Sequence, residues 1–197
     1  MKKIILFVCV ALLSINSFSQ KKKSATKNTL VTSAFPKLDN LQVEIKRNNF
    51  QVTISEKGKT NDMLIVKAVD ASFAPTNCKL SSFMASGVKL YLLTWTENNI
   101  VKTDLKTEER TTIYSIIYEI VSKKQVFSNY QLTNHITEKV FLGGTTASET
   151  QEKIRREGFE FALKPDGSVT QKNKTQQNNL VYDAAKMEFV AKMTSPE

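Results

Sequence analysis

Along most of the chain, apolar and polar residues alternate with a period of two, the repeat of a half-buried strand. Leu41-Gln-Val-Glu-Ile45 and Phe50-Gln-Val-Thr-Ile54 both keep it. Arg47-Asn48-Asn49 between them can supply the positive φ of a tight turn, so 41–54 predicts a hairpin. Met63–Val69 predicts a third strand, apolar enough to be buried on both faces over part of its length. From Val88 the signal strengthens. Val88–Thr96, Ile100–Leu105, Thr111–Val121 and Gln125–Phe141 predict four extended segments, separated by Asn98-Asn99, by Thr107-Glu108-Glu109 and by Ser122-Lys123-Lys124. Short polar links of this kind join antiparallel neighbours into a meander. In the last segment Val126, Tyr130, Leu132, Ile136, Val140 and Leu142 share one parity, and Gln131, Thr133, His135, Thr137 and Lys139 share the other. That predicts one dry and one wet face, with a bend near Thr133-Asn134 in so long a strand.

Two stretches carry a helical period instead. Leu80, Phe83 and Met84 have i, i+3, i+4 spacing, with Thr76 or Asn77 to cap the start and Gly87 to close the end. They predict a short helix after Pro75 with Cys78 in its first turn. Thr146 and Glu149 fit a capping box, Gly158 a terminator, and Glu149–Lys153 and Glu152–Arg156 the i,i+4 pairs of a surface helix of about three turns. Beyond it, Phe159–Leu163, the turn Pro165-Asp166-Gly167 and Ser168–Thr170 predict a hairpin. Lys172–Asn179 reads as a mobile loop, and Leu180–Tyr182 and Met187–Val190 as last strands flanking a turn at Asp183–Lys186. The expected fold class is all-β, β-rich with one or two short helices, as an antiparallel meander forming a sandwich or partly open barrel.

The start of the chain breaks this pattern. Met1-Lys2-Lys3 is positive, Ile4–Leu13 is nearly all apolar, and Ser17 and Ser19 are small residues at alternate positions. This is the layout of a secretory signal peptide, with cleavage expected between Ser19 and Gln20. The apolar run falls short of the roughly 20 residues of a spanning helix, so no transmembrane segment is expected after cleavage. The expected organisation is therefore a signal peptide (1–19), a basic flexible lead-in (20–38) and a single β-rich domain (39–197). The protein is expected to be exported, to the periplasm or the extracellular space, and a Lys-, Asn- and Ile-rich body fits a bacterium with an AT-rich genome. Cys9 belongs to the leader and follows Val8 rather than the small residue of a lipoprotein signal. Cys78 is then the one cysteine of the mature chain, which rules out an intrachain disulfide.

Charge narrows the partners. Of 28 basic residues, six (Lys2, Lys3, Lys21, Lys22, Lys23 and Lys27) precede residue 28, leaving 22 against 19 acidic ones in the body. The body holds only four arginines, Arg47, Arg110, Arg155 and Arg156. Nucleic acid, whose recognition leans on Arg and on clustered charge, is not an expected partner. Lys21, Lys22 and Lys23 can touch an anionic membrane surface, although a solvated, disordered terminus is the plainer reading.

Candidate chemistry is sparse. His135 is the single histidine, on the polar parity of its strand, and no Gly-x-Ser-x-Gly turn presents a nucleophile. One His and one Cys do not make a zinc site, and Asp166-Gly167-Ser168 lacks the further carboxylates of a calcium loop. No metal and no cofactor are expected. Glu97, Asp104, Glu119 and Glu138 are the carboxylates from which a glycosidase pair can be drawn. Glu138 falls by parity on the dry face, where a carboxylate needs a partner. It is the catalytic candidate, with a structural pairing to Lys89 or Arg110 as the plainer reading. Gly143, Gly144 and Thr145 precede the predicted helix and form a candidate anion site at its N-terminus, or simply a strand-to-helix corner. Tyr91 and Trp95, and Tyr114 and Tyr118, are spaced i, i+4 on strands and so line one face, as a ligand cavity or a core. Asn173-Lys174-Thr175 matches a glycosylation sequon, which carries little in a bacterium.

The expected function is that of an exported, soluble, non-enzymatic β-protein that binds a small apolar ligand or an envelope protein through its sheet. The alternatives are a carboxylate-dependent hydrolase of envelope polymers, and a structural or assembly subunit using exposed strand edges.

Overall fold

A computed structural model describes residues 35–56, 59–144 and 147–192. The expected signal peptide, most of the lead-in with Lys21, Lys22 and Lys23, and Thr145 and Thr146 lie outside the described residues. Thirteen strands follow one another, with no helix among the described residues: β1 (Lys37–Leu38), β2 (Leu41–Lys46), β3 (Asn49–Glu56), β4 (Lys59–Ala68), β5 (Thr76–Ala85), β6 (Val88–Lys102), β7 (Lys106–Glu119), β8 (Lys124–Phe141), β9 (Ser148–Gly158), β10 (Glu160–Leu163), β11 (Val169–Lys172), β12 (Gln177–Asp183) and β13 (Glu188–Ala191). They form three antiparallel sheets in sequence order, β1–β4, β5–β9 and β10–β13, none closed into a barrel. The fold is an antiparallel, sandwich-like meander.

The central sheet lies between the other two. Tyr91, Leu93 and Trp95 of β6 and Ile116 and Tyr118 of β7 pack against Leu41, Val43, Phe50, Val52 and Ile54 of the first sheet. Leu90 and Leu92 of β6, Ile117 of β7 and Val126 of β8 pack with Val169 and Tyr182 of the third. Val88–Thr96 is apolar at both parities because each parity serves a different core. Asn129 ties the layers together: its amide donates to Phe159 O (2.9 Å) and its Oδ1 accepts from Gln171 Nε2 (2.8 Å).

The β2–β3 hairpin forms as the sequence predicts, around Arg47 and Asn48, both at positive φ. Both helical expectations are overturned. Residues 76–85 are strand β5. Its Cys78 and Leu80 join the first core, while Phe83 and Ala85 join the second. An i, i+3 spacing thus arises from a strand that switches the face it buries. Residues 148–158 are strand β9, paired with β8 from Phe141↔Ser148 to Gln131↔Gly158. The i,i+4 pairs that suggested a helix are worth only about 0.2–0.5 kcal/mol each, whereas β8 offers a ladder eleven pairs long. Three further differences are smaller. Val88–Thr96 and Ile100–Leu105 belong largely to one strand, β6, which runs through Asn98-Asn99 to Lys102. The ladder crosses Thr133-Asn134 without a register shift, the irregularity falling at Ile117/Tyr118 instead. Lys172–Asn179 is a tight turn at Asn173–Gln176 running straight into β12, with Asn173 Oδ1 accepting from the Thr175 and Gln176 N–H groups.

Candidate functional site

The aromatic candidates sit on one face of the central sheet, Tyr91 opposite Tyr118 and Trp95 opposite Tyr114. That face is covered by the first sheet. Trp95 is 2% exposed, stacks on Tyr114 at 4.8 Å between ring centres, and meets the Phe50 ring edge-on at 5.2 Å. These four rings are part of the wall of the first core. The Tyr118 hydroxyl is buried with no hydrogen-bond partner among the described residues, and burial pushes its pKa up to about 12. The rim of the cluster carries the polar contacts. Trp95 Nε1 donates to Glu97 (2.9 Å), Lys67 pairs with Glu97 (2.7 Å), and the Lys67 ammonium lies over the Phe73 and Tyr114 rings.

Glu138 shares a face with Ile136, as its parity predicts, but its partner is Lys153 across the β8–β9 ladder, rather than Lys89 or Arg110. That hydrogen bond and charge hold its carboxyl below the ordinary range. On β7 the acid diagonal to it in the register is Glu108. Hydrogen bonds from Lys106, Arg110 and Asn134 bring Glu108 down to about 2. A glycosidase acid needs a raised pKa, so this pair is set the wrong way for proton donation. The other acids are dispersed. Glu97 lies six positions along the sheet from Glu138, about 20 Å at strand spacing. Asp104 is in the exposed β6–β7 turn. Glu119 caps the turn at the opposite end of β7, accepting from the Val121 and Ser122 N–H groups. Burial raises the Glu119 pKa, but the bonds from Ser122 and Val121 outweigh it and the net shift is downward.

Gly143 and Gly144 form the exposed β8–β9 turn, Gly144 at φ +77, and they lead into a strand with no helix N-terminus behind them. His135 is exposed on the face opposite Ile136, between Glu109 and Ile154 in the register. Cys78 is a free, half-buried thiol against the first core, and burial raises its pKa to about 11. No group of three His, Cys, Asp or Glu able to hold a metal occurs among the described residues.

What sequence reasoning did not anticipate is how far the central sheet outruns both cores. β5 leaves β6 at Thr76↔Thr96, and from there β6–β9 continue as a four-stranded arm. The arm exposes Ile100 (67%), Val101, Ile113, Phe141 and Ile154 (56%). Among the described residues it also has two open edges. Thr103 N–H bonds to Lys106 O in the β6–β7 turn, so odd-numbered residues of β6 face β7, and Asn98, Ile100 and Lys102 direct N–H and C=O into a lane that none of the described residues occupies. Likewise Leu142 N–H bonds to Ala147 O, so the even-numbered residues of β9, from Ser148 to Arg156, face outward. A cleft adjoins each edge. The one beside β6, about 600 Å³, is walled by Lys67–Ala74 and includes Phe73, Asp70 and Ser72. The one beside β9, about 610 Å³, is walled by the β11–β12 turn and includes Arg156, Lys172 and Lys174. A sequence signal for the arm was present: β9 is polar at both parities, and so is Asn98-Asn99.

No protein family, curated protein or solved structure matches this chain.

Proposed function

We propose that this chain is an exported, non-enzymatic binding protein of the bacterial envelope or extracellular space, and that its partner is another protein held at the arm of the central sheet. The observation that carries this reading is the open lane beside Asn98–Lys102. There β6 presents backbone groups without a backbone partner among the described residues, next to a preformed wall, the arrangement by which a sheet edge takes up an extended peptide. Ile100 and Val101 keep this edge apolar, and Lys102 is its single charge. The secretory layout of Met1–Ser19 supports export. A protein partner is favoured over a small apolar ligand because both clefts are open, the one beside β9 is lined largely by charged and amide side chains, and the one beside β6 mixes charged, amide and apolar ones. The same open edges favour, as a second reading, an assembly subunit.

The test is site-specific photo-cross-linking in the host, with the reactive residue at Asn98 and, as control, at Val121 on the far turn. Asn98 is expected to give discrete protein adducts and Val121 none. Ile100→Pro removes one outward N–H while leaving the β7 ladder intact, and it is expected to abolish the adducts without changing the thermal melt. Equal adducts at both sites, or none at Asn98, defeat the reading.

A further inference from the structure

We propose that β9 is a self-association edge, and that its occupant is a second copy of this chain paired antiparallel about a two-fold axis at Ile154. The inference rests on the arm being the interaction surface, but it concerns the edge opposite the β6 lane. Charged residues on an edge strand ordinarily keep other chains away. A guard of one sign repels every copy of itself, whereas β9 carries Glu149 and Glu152 before its midpoint and Lys153, Arg155 and Arg156, followed by a single acid, Glu157, from the midpoint on. Reversed against itself, such a strand is complementary.

Geometry restricts the registers. A two-fold axis normal to the sheet brings like faces together, so outward-bonding residues, the even-numbered ones, must pair with even-numbered ones. Centring on Ile154 sets that side chain, exposed and the only large apolar group of β9, against its own copy. Glu152 then lies opposite Arg156 of the second copy, twice by symmetry, on the same face. On the other face Gln151 meets Glu157, and Lys153 meets Arg155, with Lys153 already neutralised by Glu138. Centring on Glu152 or on Lys153 puts like charges at the axis. Centring on Gln151 avoids that but leaves Ile154 beside Ser148. Past Gly158 the lane opens onto the cleft where Arg156, Lys172 and Lys174 outnumber Glu157 and Glu160, and Glu149 of the second copy falls there.

The experiment is sedimentation equilibrium of the purified protein over a concentration series, with charge swaps. The parent chain is expected to dimerise. Glu152→Arg and Arg156→Glu each put like charges opposite one another at two symmetric positions, and each is expected to weaken the dimer by about tenfold or more. The double variant Glu152→Arg/Arg156→Glu restores it. Both positions changed in these variants are exposed, so the monomers should melt like the parent, which circular dichroism checks. A parent that stays monomeric throughout overturns the proposal while leaving the Asn98 cross-links of the β6 lane unaffected. A dimer indifferent to the single swaps, or not rescued by the double one, overturns the register.

Discussion

The two halves of the central sheet share the strands β6, β7 and β8, yet they are built on different principles. In the inner half apolar rows occur on both faces: Leu93 lies beside Ile116 and Leu92 beside Ile117, one row feeding the first core and the next feeding the second. In the outer half the rows read Asn99–Arg110–Asn134–Arg155 and Ile100–Glu109–His135–Ile154. Backbone hydrogen bonds are identical in kind in both halves. The difference shows that, given a packed inner half as anchor, a ladder can carry a sheet well past its hydrophobic support, and that the extension is then held by cross-strand side-chain pairs worth tenths of a kcal/mol each. It also places exposure, open edges and clefts together at the weaker end.

If that contrast is right, truncating a ring in the inner half is the most damaging change. Trp95→Ala removes the side chain that both Phe50 and Tyr114 pack against, and should cost about 3–5 kcal/mol in denaturant melts. Ile100→Ala, on the same strand beyond Thr96, should cost less than about 0.5 kcal/mol, as exposed positions do. Similar costs at the two sites would erase the distinction between the halves.

A sharper test lies wholly within the arm. Ile136 is only 7% exposed although it belongs to neither of the two cores formed by the described residues. Its register neighbours Glu108 and Lys153 belong to ion pairs with Arg110, Lys106 and Glu138, and the stems of such side chains shield an apolar neighbour. Ile136→Ala should therefore cost about 2 kcal/mol, the low end for a buried large-to-small change. His135→Ala, one residue on and facing the opposite way, should cost less than about 0.5 kcal/mol. A reversed order would mean that the faces of β8 are exchanged.

How much of this was legible in the sequence follows the same division. Strand periodicity located the inner half, the β2–β3 turn and the β10–β13 hairpins, because burial there writes itself into the residue pattern. It misread residues 76–85, where a strand buries Leu80 on one side and Phe83 on the other and so imitates a helix. It misread residues 148–158 for the opposite reason: with both faces wet, nothing but local charge spacing was left to read, and the β8 ladder that decides the matter is non-local. The rows formed by Tyr91, Trp95, Tyr114 and Tyr118 were visible, but which sheet covers them was not. Glu138 was flagged by parity. Its partner, Lys153, sits on a strand whose existence the sequence disguised.

The smallest effect tests whether ion pairs really hold the outer half. Glu108 is the hub, accepting from Lys106, Arg110 and Asn134, and those bonds lower its pKa to about 2 from the ordinary 4.5. A carboxyl whose folded-state pKa is depressed contributes stability that is fully present above the unfolded value and is lost as pH falls through the folded one. The window is therefore pH 4.5 down to about 2. Glu108→Gln keeps the size and loses the charge, so thermal melts should show it less stable than the parent at pH 6. The gap should narrow steadily below pH 4.5 and close near pH 2. Because its partners Lys106 and Arg110 are exposed, added salt should shrink the gap at pH 6 as well. Trp95→Ala, by contrast, should show a deficit that neither salt nor acid removes, since apolar packing does not titrate. A Glu108→Gln gap that persisted unchanged at pH 2 would mean that the side chain acts in the arm by its shape rather than by its charge.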